Sequence, residues 1–138
     1  MDTYKFYKQY HQNPINRAIH AVFIPCIVLT TMILLQNINI NLVSYMLPIY
    51  CLYYYTWGWK IGLYMTIYFV ILDTIGVLLN KYYRPHSKLI VHTLILFSLS
   101  WIMQFIGHYI EGTRPALMDS ITQAFLGAPL FSLDFIMF

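Results

Sequence analysis

Uncharged apolar stretches alternate with short polar breaks along this chain. Residues 21–35 (AVFIPCIVLTTMILL) carry no charge, and with Ala18 and Ile19 added the stretch covers about 18–35, close to the ~17-residue minimum for a helix that crosses a bilayer. Pro25 is expected to kink it. A second uncharged stretch, 42–57, is rich in Tyr and runs into Trp57, Gly58, Trp59 and Lys60. That composition is an aromatic belt at a membrane surface, so a tight hairpin is expected there. The third stretch, 61–79, is interrupted only by Asp73 and leads into a polar connection from Asn80 to Lys88; the fourth covers 89–106. The tail, 121–138, is apolar again but carries Gly127, Pro129 and Asp134, the pattern of a broken re-entrant or interfacial helix rather than a fifth span. The pattern therefore predicts an all-α, polytopic membrane protein. Its residues 1–138 form one transmembrane domain, a four-helix bundle with spans at about 18–35, 42–57, 61–79 and 89–106 and a C-terminal re-entrant or interfacial helix.

Composition sharpens this reading. Of the 138 residues 59% are hydrophobic and only 9% charged, with a mean hydropathy of +0.61, whereas a soluble domain has roughly a quarter of its residues charged. A soluble globular domain is excluded, and the expected surroundings are a lipid bilayer. The net charge of +3 comes from single Lys and Arg residues between apolar stretches, which is no footprint for nucleic acid. Cys26 and Cys51 lie inside apolar stretches without a partner Cys or His at zinc-site spacing, so both are expected as core thiols. The first 20 residues lack the short apolar stretch and small-residue site of a cleaved signal peptide.

Four spans place the segments before residue 21 and after residue 106 on one membrane face. That face holds Lys5, Lys8, Arg17, Lys60 and Arg114, against Lys81, Arg84 and Lys88 on the other, which favours both ends in the cytosol. The same parity sorts the histidines. His11, His20 and His108 fall at one face, while His86 lies in the opposite connection and His92 about one turn inside it. His92 and His108 are 16 residues apart, roughly 24 Å and about 160° of rotation along a helix, so they do not share a site.

Trp101, Gln104, His108 and Glu111 follow at three-four-three spacing and share one helix face if the helix continues past the membrane. Asn16 stands four residues before His20. Pro14 makes Asn13 a helix start, so His11, before the break, is free to fold back toward His20. Each histidine alone is explained by a hydrogen bond at the interface. Three imidazoles and a carboxylate gathered at one face also offer the donors that suit non-haem Fe(II) or zinc, their nitrogens close enough to share one ion. Both readings stay open on the residues alone. Asp73, inside the third span, is expected to contact His92. Phosphate loops, Ser/His/Asp arrangements and glycine-rich nucleotide turns are absent from the sequence.

Two stretches carry a resemblance. Tyr10 to Pro25 (YHQNPINRAIHAVFIP) and Trp101 to Leu117 (WIMQFIGHYIEGTRPAL), followed by Asp119, Gln123 and Ala128-Pro129, resemble the 2-hydroxy fatty acid dioxygenase family, small endoplasmic-reticulum membrane proteins of fungi and plants that act in phytosphingosine breakdown. The resemblance implies an Fe(II)-dependent alpha-oxidation that consumes O2, but no 2-oxoglutarate, and shortens a 2-hydroxy fatty acid by one carbon. It maps the family's important histidines onto His11, His20 and His108. The family carries a Gly after its last His and a Glu four residues on, whereas here Tyr109 follows His108 and Glu111 comes three after it. On this reading Glu111 or a water completes the metal ligands, Asn16 and Gln104 orient the imidazoles, and Arg17 or Arg114 pairs with the substrate carboxylate. The acyl tail lies between spans one and four. Five scattered histidines do not form the His boxes of di-iron desaturases. The alternative is a non-catalytic membrane scaffold or lipid-binding protein of the same fold, which needs no metal.

Overall fold

Asn13 starts the first helix of the computed structural model, which describes residues 10–38 and 42–137. Its Oδ1 accepts the Ile15 N–H at 2.8 Å and its carbonyl accepts the Arg17 N–H at 3.0 Å, while Pro14 takes the first helical position, where its missing N–H costs nothing. Helix α1 (Pro14–Gln36) thus begins four residues before the apolar stretch does, and it runs through Pro25 as one helix. Helices α2 (Leu42–Tyr55), α3 (Trp59–Tyr82), α4 (His86–Glu111) and α5 (Ile121–Met137) follow, with a 3₁₀ turn at Ala116–Met118 before α5. No strand occurs among the described residues.

The helices α1, α3 and α4, of 23, 24 and 26 residues, are long and apolar enough to cross a membrane. The second apolar stretch is different. Helix α2 has 14 residues, about 21 Å at 1.5 Å per residue, short of the ~30 Å hydrocarbon core. The tail also departs from expectation: instead of a broken helix, α5 continues through Gly127 and Pro129. The polar connection between the third and fourth stretches shrinks to Tyr83–Pro85, because α3 extends to Tyr82 and α4 begins at His86.

The described residues divide into two packing units, those within 1–27 and 98–138, and those within 28–97. In the second, α2 and α3 form the expected hairpin. Gly58 turns the chain at φ 128°, a conformation that L side chains rarely adopt, and Gly62 leaves space for the Tyr55 ring. Gly62, Met65, Phe69, Leu72 and Gly76 are buried at three-four spacing along α3. Leu63, Ile67, Val70, Ile71 and Leu78 on its other faces are exposed, which suits a helix apolar enough to cross a membrane.

Asp73 is held by an amide rather than by His92. Gln36 Nε2 donates to Asp73 Oδ1 at 2.8 Å, and Gln36 Oε1 accepts from Asn80 Nδ2 at 2.9 Å. A Cβ at position 76 would come within 2.9 Å of that Gln36 oxygen, so Gly76 is what lets the end of α1 approach. Asn37 Nδ2 donates to Asn80 Oδ1 at 2.6 Å, and His86 Nε2 bonds the Asn37 Oδ1. His92 Nδ1 instead meets the Tyr83 hydroxyl at 2.8 Å. In place of the expected Asp73–His92 contact, the Gln36 amide at the end of α1 bonds the carboxylate and His92 bonds Tyr83.

In the first unit α4 ends in a Schellman motif. Gly112 takes φ 73°; its N–H bonds the Tyr109 carbonyl at 3.2 Å and the Thr113 N–H bonds that of His108 at 3.3 Å. Glu111 is therefore the last residue of α4, three beyond His108. Helix α5 buries Ala124, Leu130, Phe131 and Ser132, with Tyr10, Leu117 and Ala128 packed around Ala124 and Phe131.

Candidate metal centre

Three imidazoles from two helices and the segment before them meet in the first unit. His11 stands two residues before the Asn13 cap, His20 lies on α1, and His108 lies on α4 one turn before its end. They are 1%, 1% and 5% exposed. Ring centroids lie 4.2 Å apart for His11 and His20, 4.8 Å for His11 and His108 and 5.0 Å for His20 and His108. One nitrogen from each ring lies within 4.8 Å of the others. Neutral imidazole, with one lone pair per ring, is the form that ligates a metal.

Local structure explains the convergence. Asn16 and His20 are one turn apart on α1, and the His20 Nδ1–H donates to the Asn16 carbonyl at 2.9 Å. Because a carbonyl only accepts, this bond fixes the tautomer and leaves the lone pair on His20 Nε2. His108 reaches the same point because Gly107 allows α1 and α4 to touch: a Cβ at 107 would clash with the Asn16 side-chain oxygen and lie 3.5 Å from Ile19 Cγ2. Phe131 of α5 covers the cluster, its ring centroid 4.7 Å from that of His11 and 6.5 Å from that of His20. His108 Nδ1 is buried with no hydrogen-bond partner among the described residues. A buried lone polar atom beside two further imidazoles is the donor arrangement a transition-metal ion satisfies.

The remaining site residues take definite places. Glu111 stands outside the three-imidazole group; its carboxylate accepts the Gln12 N–H at 2.7 Å, the Asn13 N–H at 2.9 and 2.8 Å and Asn16 Nδ2 at 3.1 Å. Asn16 is fully buried and Gln104, one turn before His108, is nearly so; Gln104 Nε2 has no hydrogen-bond partner among the described residues. Arg17 is half-buried on α1. Arg114 Nη2 pairs with Asp119 Oδ1 at 2.6 Å and stays largely exposed. Tyr10 donates to the other oxygen of Asp119 at 2.8 Å, and this bond raises the Tyr10 phenol above its ordinary range. Gln123 lies outside the residues whose side chains are described. His86 and His92 belong to the second unit, with Asn37 and Tyr83.

Gly107 and Phe131 escape a reading of the sequence alone. A helical Gly costs about 1 kcal/mol against Ala, so a Gly directly before a candidate ligand is a packing signal that points to Gly107. Nothing distinguishes Phe131 from the other aromatics of an apolar tail.

A family model described as 2-hydroxy-palmitic acid dioxygenase Mpo1-like matches residues 1–138. The 2-hydroxy-palmitic acid dioxygenase MPO1 of Saccharomyces cerevisiae is 34% identical over 137 residues, which cover 91% of this chain and 72% of that protein. No solved structure matches the chain.

Proposed function

Because the chain belongs to the 2-hydroxy-palmitic acid dioxygenase Mpo1-like family, we propose that it is an Fe(II)-dependent dioxygenase. Its reaction converts a long-chain 2-hydroxy fatty acid and O2 to the fatty acid one carbon shorter, CO2 and water. The observation that carries this reading is the convergence of the buried His11, His20 and His108 within 4.8 Å. The reaction balances without a further reductant: oxidising the hydroxyl-bearing carbon to a carboxylate and releasing the old carboxylate as CO2 yields four electrons, which O2 takes up. This accounts for a cycle without 2-oxoglutarate.

The residues fit the metal. Three neutral nitrogen donors suit Fe(II) and leave coordination positions open. When bound, Fe(II) supplies those positions and the redox capacity that O2 chemistry needs. His11, His20 and His108 hold it, with the Asn16 carbonyl fixing the His20 ring and Gln104 placed to orient His108. Phe131 keeps water from the His11 side. Arg17, or Arg114 in exchange for its bond to Asp119, holds the substrate carboxylate. The acyl chain lies along the apolar surface of α1 and α4, where Val22, Ile102 and Phe105 are exposed, so substrate enters from the bilayer without passing through water.

The membrane arrangement in this proposal has four crossings in the endoplasmic reticulum, with both polar ends cytosolic. The bonds of Asn37 to Asn80 and His86 support it, since they join the end of α1 to the α3–α4 turn, as two crossings to the same face require. The short α2 crosses where the bilayer thins locally.

The test is metal analysis of anaerobically purified protein together with mass spectrometry of products from 2-hydroxy acids of several chain lengths. One iron per chain and an acid one carbon shorter are expected. Bound iron with no shortened acid from any chain length would overturn the substrate class.

A further inference from the structure

Glu111 joins the three metal-holding segments through a single carboxylate. It ends α4 three residues after His108, and it accepts the backbone N–H groups of Gln12 and Asn13, the residues that follow His11. It also accepts Asn16 Nδ2, and the carbonyl of that same Asn16 takes the His20 Nδ1–H. Glu111 thus reaches His20 through one hydrogen-bonded residue, Asn16, His11 through the backbone of the two residues after it, and His108 through one turn of α4, although the three come from separate parts of the chain.

Resting on the metal reading above, we propose that Glu111 is a positioning residue. It fixes the distances among His11, His20 and His108 from outside the ligand set, and it places a negative charge beside a site whose three ligands are neutral. Three donors make four contacts between 2.7 and 3.1 Å with its two oxygens, the Asn13 N–H being shared between them, so the carboxylate is held by the chain, outside the three-imidazole group. The segment carrying His11 precedes the helix and has no ladder of its own to hold it. Two backbone N–H groups bound to an anion at the positive end of α1 supply that hold. The charge serves a second purpose. A divalent ion among three imidazoles in an apolar surround keeps its full charge, and a carboxylate just outside the ligands offsets part of it. The Schellman turn at Gly112 accounts for the reach of Glu111 toward α1: it is the final helical residue, where α4 gives way to a turn.

The experiment titrates Co(II) into metal-free, detergent-solubilised wild type, Glu111→Ala, Glu111→Gln, His20→Ala and His92→Ala. It follows both the dissociation constant and the visible d–d spectrum, whose shape reports ligand arrangement. Outer residues that orient ligands typically change metal affinity by about 10–100-fold. Glu111→Ala should weaken binding by about that factor and alter the spectrum. Glu111→Gln keeps the size and one acceptor oxygen but loses the charge, so it should fall between Ala and wild type; His92→Ala should match wild type in both readouts. Should Glu111→Ala not fold, Glu111→Gln decides. Wild-type affinity and spectrum in a folded Glu111→Gln would overturn the proposal. A spectrum lost in both Glu111 variants to the same extent as in His20→Ala would make Glu111 a ligand, and would overturn it too. Failure of wild type itself to bind Co(II) would instead overturn the metal reading on which it rests.

Discussion

Gly107 and Asn16 are packed against each other, the Asn16 side-chain oxygen standing so close that a Cβ at position 107 would clash with it. Helix propensity alone would make Gly107→Ala stabilising by ~1 kcal/mol. The contact opposes this, because Asn16 is fully buried and held by Glu111. Gly107→Ala is expected to be destabilising by about 1–3 kcal/mol, the usual cost of overpacking, and to lose bound metal as α1 and α4 separate. Thermal unfolding in detergent and metal analysis check both; a more stable, fully metallated variant would contradict the contact.

The histidines divide by unit. His11→Ala, His20→Ala and His108→Ala should each abolish turnover and metal retention. His86→Ala and His92→Ala should leave both largely intact, since they bond Asn37 and Tyr83 in residues 28–97. Product formation by mass spectrometry at matched membrane expression compares the five. Loss of activity in His92→Ala with activity kept in His108→Ala would move the chemistry to the second unit.

The amide hold on Asp73 makes a stability prediction separate from catalysis. Gln36→Leu removes the donor to Asp73 and the acceptor for Asn80, leaving part-buried polar groups unpaired at a cost of about 1–3 kcal/mol. Removing the carboxylate as well, in Gln36→Leu with Asp73→Leu, should recover part of that loss. Thermal midpoints of the single and double variants measure the coupling; strict additivity would mean the bond contributes nothing.

A single helix tests the membrane orientation. At 26 residues α4 is about 39 Å long, so positions just before and just after it should face opposite sides. With Cys26 and Cys51 replaced by Ser, Arg84→Cys and Met118→Cys should label from opposite sides of sealed microsomes, Met118→Cys from the cytosolic one. Labelling of both from one side would remove the crossing.

The all-α class, the helix start at Asn13-Pro14 and the hairpin at Gly58 were legible in the order of residues, because each rests on local rules: uninterrupted apolar length, capping chemistry and turn composition. The trio His11, His20 and His108 rests instead on a count of four crossings, and packing within the first unit is what brings the three rings together. What tertiary structure decided is how those pieces are held. Whether Asp73 meets His92 or Gln36 depends on which side chain a neighbouring helix brings within hydrogen-bonding distance, and no spacing along the sequence contains that distance. Likewise Glu111 shares a helical face with His108, as its spacing implies, yet its partners are N–H groups almost a hundred residues away. Periodicity specifies a residue's face; only packing specifies what stands opposite it, since helix contacts are made by small residues such as Gly107 whose effect is the absence of a side chain.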